Sequence, residues 1–201
     1  MPHIPENDLV LVLSADVPLI QLELLNNLVS HALAEDTAKR VPLVLLLALL
    51  GDPTGLGRVL RDSNGRILAI VEEKDATETE RKIQEIYSGV CCARAKQLNE
   101  WLPKLSSGNA QQEYYLTDII KMAADEAYPI SFVHAMNSWM IQGVNDRVQL
   151  ESLERVWQGK QAIALMQNGA TIADKQRIDI RGEVNCGKDV FIDVGAVFIG
   201  E

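Results

Sequence analysis

Positive charge is scarce in this chain. Its 19 lysines and arginines face 28 aspartates and glutamates, leaving a net charge of −9. That balance argues against a broad electrostatic footprint for nucleic acid or an anionic membrane surface. A phosphate ligand is still allowed, because a metal ion or a row of backbone amides supplies local positive character. Cysteine is also scarce. Cys91, Cys92 and Cys186 are the only three, they lack C-x-x-C metal spacing, and they read as small buried thiols of a reducing cytoplasm. Cys91 and Cys92 are neighbours in an expected strand, so their side chains should point to opposite faces. His3, His31 and His134 form no recognisable constellation. Long apolar runs are missing too. The longest, Val41 to Leu50, is interrupted by Pro42 and too short for a membrane-spanning helix. No basic segment leads into an apolar one near Met1, so no secretory leader is expected and a cytoplasmic location is.

What is present is an ordinary core-forming composition, 47% hydrophobic over 201 residues, enough for one domain or one and a half. Leu9 to Leu13 reads as a strand buried on both faces and running parallel to its neighbours. It ends at Ser14-Ala15, and Asp16 follows at once, with Pro18 preventing any continuation of a ladder. A carboxylate at the carboxyl end of such a strand lies where open α/β sheets bind ligands. A hard cation such as Mg²⁺ prefers carboxylate oxygen and would in turn hold a phosphate. An amphipathic helix is expected near Gln21–Ala34, with Leu22, Leu24, Leu25 and Leu28 inward, and a second buried strand over Val41–Leu50. Two short strands flank the hairpin signal Ser63-Asn64-Gly65. Thr77 is placed to cap a short helix, Ile86–Ala93 reads as a strand, and helices are expected near Ala95–Leu105 and Leu116–Glu126. Pro129–His134 reads as the last strand. The pattern is α/β, mostly parallel, with an inserted hairpin.

After Asn145 the character changes. A long helix is expected from Asp146 to Asn168, stopped by Gly169 at a C′ position, with Leu150, Leu153, Trp157, Ile163 and Met166 along one stripe. Gly159 weakens its middle by about 1 kcal/mol relative to Ala. Then Ile180-Arg-Gly-Glu-Val184-Asn, Cys186-Gly-Lys-Asp-Val190-Phe and Ile192-Asp-Val-Gly-Ala196-Val repeat with period six, and Phe198 opens another unit. Hexapeptides of this kind build parallel β-helices, one face of a coil per unit. Three units make about one turn, and stacking needs several. The reading is therefore of a domain that has only begun when the sequence reaches Glu201, as at the end of a fragment.

The segments Ala15-Asp16-Val-Pro-Leu19, Asp52-Pro-Thr-Gly-Leu-Gly-Arg58, Ile70-Val-Glu72-Glu-Lys-Asp75-Ala, Gln84-Glu-Ile86, Asn109-Ala-Gln-Gln-Glu-Tyr-Tyr-Leu-Thr-Asp118 and Gly143-Val-Asn145-Asp-Arg147 occur together and in order. The chain resembles, over nearly its whole length, the bacterial bifunctional N-acetylglucosamine-1-phosphate uridylyltransferase / glucosamine-1-phosphate acetyltransferase family. The resemblance implies three parts. Residues 1–145 would be the later part of an incomplete Rossmann-like nucleotidyltransferase domain. Residues 146–175 would be a helical arm. Residues 176–201 would be the first turns of a left-handed parallel β-helix that trimerises and carries the acetyltransferase. The family's Gly-rich L-x-A-G-x-G-T-R-M loop and its uracil-binding stretch have no counterpart in these 201 residues, so the chain alone is expected to have little or no uridylyltransferase activity.

For the parent enzyme the resemblance implies UTP and N-acetylglucosamine-1-phosphate as substrates and Mg²⁺ as cofactor. It implies Asp16 and Asn145 as metal ligands, and Ser14, Ala15, Asp16, Gly57, Glu72, Tyr87 and Asn145 as substrate-binding positions. No nucleic-acid or membrane partner is implied. The bland alternatives are a helix N-cap for Asn145, a plain turn glycine for Gly57 and a solvated hairpin acid for Glu72, a role that fits Glu73 better. Arg58 and Lys74 read as structural. For Asn109–Asp118 the alternative to a sugar-site lining is a capped helix start. The sequence also departs from the family. Ala15 stands for a usual Gly, Leu56 for Tyr, Tyr87 for an Asn that contacts the sugar, Ser88 for Thr and Gln112 for Gly. Two rivals follow: another sugar-1-phosphate nucleotidyltransferase, with thymidylyl or adenylyl transfer, and a non-catalytic divergent or truncated chain.

Overall fold

Seven consecutive apolar residues, Leu43–Leu49, form the middle of the principal sheet. Six of the seven are fully buried, as a strand covered on both faces requires. The structure is a computed structural model describing residues 3–33 and 41–200. It divides into two compact units, residues 1–142 and 143–201.

In the first unit, strands β1 (Leu9–Val12), β2 (Leu43–Leu49), β3 (Gly57–Arg61), β4 (Ile67–Val71), β5 (Glu85–Arg94) and β6 (Ile130–His134) make one sheet. Its order is β4-β3-β5-β2-β6, with β1 also on β5. Alternation of side chains along β2 and β5 divides the core. Leu43, Leu45, Leu47, Tyr87 and Cys91 join one cluster, with helices α2 (Ala95–Trp101) and α3 (Asp118–Asp125). Val44, Leu46, Ile86 and Cys92 join the other, with helix α1 (Leu22–Leu33). The two adjacent cysteines thus do point to opposite faces, and both are buried and free.

Three expectations need correction. The sheet is mostly antiparallel: within it only β2 and β6 pair in parallel among the described strands of this unit, and β5 runs against β1, β2 and β3. The hairpin β3–β4 returns the chain so that β5 enters between β1 and β2 in the opposite sense. β1 and β2 therefore share a direction without pairing. β1 is half-buried throughout, not covered on both faces, and Leu13 beyond it is exposed. On α1 the buried line is Leu24, Leu28 and Ala32. Leu22, two residues from Leu24 and so on the far side of the helix, is 72% exposed. The expected end of this helix at Ala34 lies outside the described residues.

β5 carries a bulge. Leu45 opposes Cys91, yet Leu47 opposes Tyr87, so the β5 side is two residues longer. The Ser88 hydroxyl fills the gap, donating to the Leu46 carbonyl at 2.8 Å and accepting from the Val90 N–H at 3.2 Å. Gly89 has φ +83°, and a Cβ there would meet the Ser14 Oγ at 2.6 Å. A side chain at 89 is therefore excluded both by conformation and by space.

In the second unit, helix α4 (Arg147–Gln167) has Asp146 as its N-cap, whose Oδ1 accepts from the Gln149 N–H at 2.8 Å. Gln149 Oε1 in turn accepts from the Asn145 N–H at 2.7 Å, a capping box shifted by one residue. Gly169, at φ +107°, follows the C-cap Asn168, as expected of a C′ glycine. Beyond it lie two parallel pairs: β7 (Thr171–Ile172) with β9 (Phe191–Ile192), and β8 (Ile178–Gly182) with β10 (Ala196–Gly200). Ile178 aligns with Ala196 and Ile180 with Phe198, an offset of three six-residue units. All four unit-opening residues, Ile180, Cys186, Ile192 and Phe198, lie in or against one apolar cluster. The stripe expected on α4 is corrected. Leu153, Gln158, Ala162 and Leu165 are its buried positions, whereas Leu150, Trp157 and Ile163 are exposed. The inner line runs at three-, four- and five-residue steps and includes a glutamine that an apolar count passes over. Among the described residues no helix is long and apolar enough to cross a membrane.

Candidate functional site

The first unit brings three sequence-distant candidates to one place. Gly57 opens β3 opposite Tyr87 of β5. A Cβ on Gly57 would lie 3.4 Å from a Glu72 carboxylate oxygen and 2.6 Å from Ile70 Cγ2, so this glycine is required for space and is no plain turn residue. Glu72 follows β4, is half-buried, and accepts a hydrogen bond from the Thr117 hydroxyl at 3.0 Å. Thr117 is itself buried and precedes α3 without capping it. The expected capped helix start is therefore replaced by a link to the acid. Nothing in the local pattern marks Thr117 as a site residue; its place within Asn109–Asp118 was the only signal.

That segment is pinned along the turn after β4. The Ala110 N–H donates to Asp75 Oδ1 at 3.0 Å, and Lys74 Nζ donates to Gln111 Oε1 at 2.6 Å. Asn109 Oδ1 accepts from the backbone of Gln111 and Glu113, both at 3.2 Å. Gln112 adopts φ +56°, the conformation a glycine would take without strain. Burial, with the nearby Asp75 charge second, raises the Asp118 carboxyl pKa.

Tyr87 points inward. It is buried, in the same apolar cluster as Cys91. Burial first, then Cys91 and the Glu72 charge, push its pKa well above the usual phenol range, while burial pushes the Cys91 thiol up to about 11. Tyr87 therefore offers a buried ring opposite Gly57 rather than an exposed polar group. The other acid of the turn also departs from expectation. Glu73 is not a solvated hairpin acid but the counter-ion of Arg58, whose side chain is 2% exposed. The same carboxylate accepts from the Gly55 N–H at 3.3 Å. Arg58 also donates to the carbonyls of Leu56 and Arg81. The guanidinium holds Glu73 below the ordinary carboxylate range. Arg58 and Lys74 are thus both engaged structurally.

Ser14 lies against Gly89 of β5, where an added Cβ would stand 2.6 Å from its Oγ, and no hydrogen bond joins it to Glu72 among the described residues. Ala15 and Asp16 are exposed in the turn beyond, and β1, which delivers them, lies antiparallel to β5. The expected parallel strand end is therefore an antiparallel one. The Asp16 carboxylate makes no hydrogen bond or ion pair among the described residues. Asn145 belongs to the second unit. Asp146 is the cap in its stead, and the exposed Asn145 side chain has no partner among the described residues. Asp16 and Asn145 each offer an uncommitted oxygen donor of the kind a hard divalent ion takes, one in either unit. Among the described residues no group of three or more acidic, histidine or cysteine side chains gathers at a metal-binding spacing.

The larger unit is a mixed α/β sheet. The fold of the chain is similar to that of a provisionally named glucose-1-phosphate thymidylyltransferase from Bacillus anthracis, solved with sucrose. The likeness has a TM-score of 0.51 at 18% identity and covers 73% of this chain and 53% of that one. No family model matches the chain. The particular relatives are bifunctional GlmU proteins. The chain is 53% identical over 201 residues to that of Legionella pneumophila strain Philadelphia 1, and 46% identical over 200 residues to that of Francisella philomiragia. Each match takes in all of this chain and 43% of the relative. The family resemblance carried by the motifs therefore holds from end to end, and the chain spans less than half the length of the curated relatives it matches.

Proposed function

We propose that this chain supplies the sugar-facing and metal-binding part of a uridylyltransferase that joins UTP and N-acetylglucosamine-1-phosphate, giving UDP-N-acetylglucosamine and pyrophosphate. The observation that supports it most is the whole-length similarity to GlmU proteins, whose motifs coincide with the cluster at Glu72. A phosphate oxygen of the sugar phosphate attacks the α-phosphorus of UTP in line. The new P–O bond forms as the bond to the bridging oxygen of pyrophosphate breaks. No covalent protein intermediate is needed, so the protein acts by positioning and charge neutralisation. Asp16 and Asn145 would hold Mg²⁺, which when bound neutralises phosphate charge. Gly57 lets the sugar approach the backbone. Glu72, fixed by Thr117, accepts hydrogen bonds from sugar hydroxyls. Ser14 and Ala15 border the nucleotide path, and Tyr87 shapes the wall where the family has Asn.

The second unit is proposed as the arm and first turn of a left-handed β-helix, leading to an acetyltransferase domain and a homotrimer in the parent enzyme. The six-residue period and the parallel register support that reading. The test is pyrophosphate release from UTP with N-acetylglucosamine-1-phosphate. The 201-residue chain alone should show none. The same chain joined to the Gly-rich nucleotide-loop segment of a GlmU relative should turn over, and Asp16→Asn should abolish it. A folded, extended protein that is inactive, or active only with another nucleotide, overturns the proposal.

A further inference from the structure

Strand β8 is the second strand of the parallel segment, after β7, and among the described strands it pairs on one edge only, with β10. An open strand edge presents unpaired N–H and C=O groups, which templates pairing with other chains. In a parallel strand both backbone groups of one residue point to the same side, and those of the next residue to the other. At Ile180 both groups turn away from β10 and meet the side chain of Gln158. The Ile180 N–H donates to Gln158 Oε1 at 2.7 Å, and Gln158 Nε2 donates to the Ile180 carbonyl at 2.9 Å. Gln158 is 2% exposed and sits in the middle of the inner line of α4.

We propose that Gln158 is an edge cap. Its side-chain amide serves as the peptide group of a preceding strand that the coil does not have. A primary amide has the donor and acceptor of a peptide unit in nearly the same geometry, which no apolar residue on that helix line provides. The second N–H of Gln158 donates to Glu154 Oε1 at 2.8 Å, so the amide is satisfied on every side it presents. Arg155 fixes the same register one residue away, donating to Asp179 Oδ1 at 2.8 Å. Gln161 adds a longer contact to the Ile180 carbonyl at 3.4 Å. Helix α4 thereby closes the first rung of the coil by hydrogen bonds as well as by packing through Ala162 and Leu165.

The test is amide hydrogen exchange at Ile180 in the full 201-residue chain. Gln158→Met keeps the volume and removes both bonds, leaving two buried backbone groups unpaired. Exchange at Ile180 should accelerate about 10- to 100-fold relative to wild type. Gln158→Glu separates bonding from packing. Ionised, it faces the acceptor oxygen of Glu154 and the Asp179–Arg155–Arg181 cluster and has no proton to donate. Protonated, which burial favours, it has one O–H donor and one carbonyl acceptor, enough for both bonds to Ile180 but not for the further one to Glu154. Its exchange at Ile180 should be fast at pH 7.5 and return to that of wild type, compared at the same pH, near pH 5. If Gln158→Met does not fold, the glutamate variant carries the test. Unchanged exchange in the methionine variant, or no recovery of the folded glutamate variant in acid, overturns the proposal.

Discussion

The two units use buried polar side chains in opposite ways. In the first, such groups tie segments to one another: Thr117 to Glu72 and Arg58 to Glu73. The sheet beneath them is apolar and pairs its own backbone, with the Ser88 hydroxyl bridging the bulge in β5. In the second unit the apolar core is small, six buried residues with five partly buried neighbours, and a buried glutamine completes the backbone pairing. A large sheet therefore leaves its buried polar side chains to tie segments together, whereas the short parallel pair of β8 and β10 takes one from α4 to complete its edge.

The largest test of that difference is core truncation. Trp101 is fully buried, and its indole N–H donates to Glu126 Oε2 at 3.0 Å. Trp101→Ala should cost about 3–5 kcal/mol in chemical denaturation, and Leu165→Ala in the smaller core about 2–3 kcal/mol. Equal costs would show that the two cores are packed alike. Next is Gly57→Ala. Its methyl group would stand 2.6 Å from Ile70 Cγ2, so overpacking of about 1–3 kcal/mol is expected, together with weakened affinity for N-acetylglucosamine-1-phosphate in a titration. A variant as stable as wild type would show that the β3–β4 hairpin yields easily.

A smaller effect is expected at the far end of β5. Glu85 pairs with Arg61 through two oxygens, at 2.7 and 2.8 Å, and meets His134 Nε2 at 2.9 Å. The Arg61 guanidinium, outweighing burial, lowers the Glu85 pKa. The stabilisation is thus fully present above the unfolded carboxylate value of about 4.3 and fades as pH falls through the folded value. Glu85→Gln should cost about 1–2 kcal/mol at pH 7, and its melting curve should converge with that of wild type near pH 3. A constant gap across that range would assign the cost to packing.

Elements with local causes were legible in the sequence. Gly169 ends α4 as expected, because a C′ residue is chosen by adjacent backbone geometry, although the N-cap is Asp146 and not Asn145, and the six-residue period matches the cluster positions Ile180, Cys186 and Ile192. Gly57 and Glu72 were legible as motif residues. Strand direction was not, because β5 pairs with residues far away in sequence and nothing within Glu85–Arg94 states its sense. Thr117 and the Arg58–Glu73 pair were missed for the same reason: their partners lie 45 and 15 residues away. Gln158 escaped because a polar residue on a helix is ordinarily assigned to solvent.

The smallest expected effect concerns a departure whose backbone consequence is visible. Gln112 has φ +56°, held by the neighbouring turn in which Asn109 Oδ1 accepts from Gln111 and Glu113. A side chain in the left-handed region costs about 1 kcal/mol, and glycine there removes that cost while enlarging the entropy of the unfolded chain. The two terms oppose, so Gln112→Gly should raise stability by only about 0.5 kcal/mol, read as a small upward shift in the denaturation midpoint at constant slope. The sign is the informative part. A rise means that the loop over Glu72 keeps a glycine conformation despite its glutamine. A fall of similar size means that the Gln112 side chain contributes to holding the loop, and the conformation belongs to the residue present.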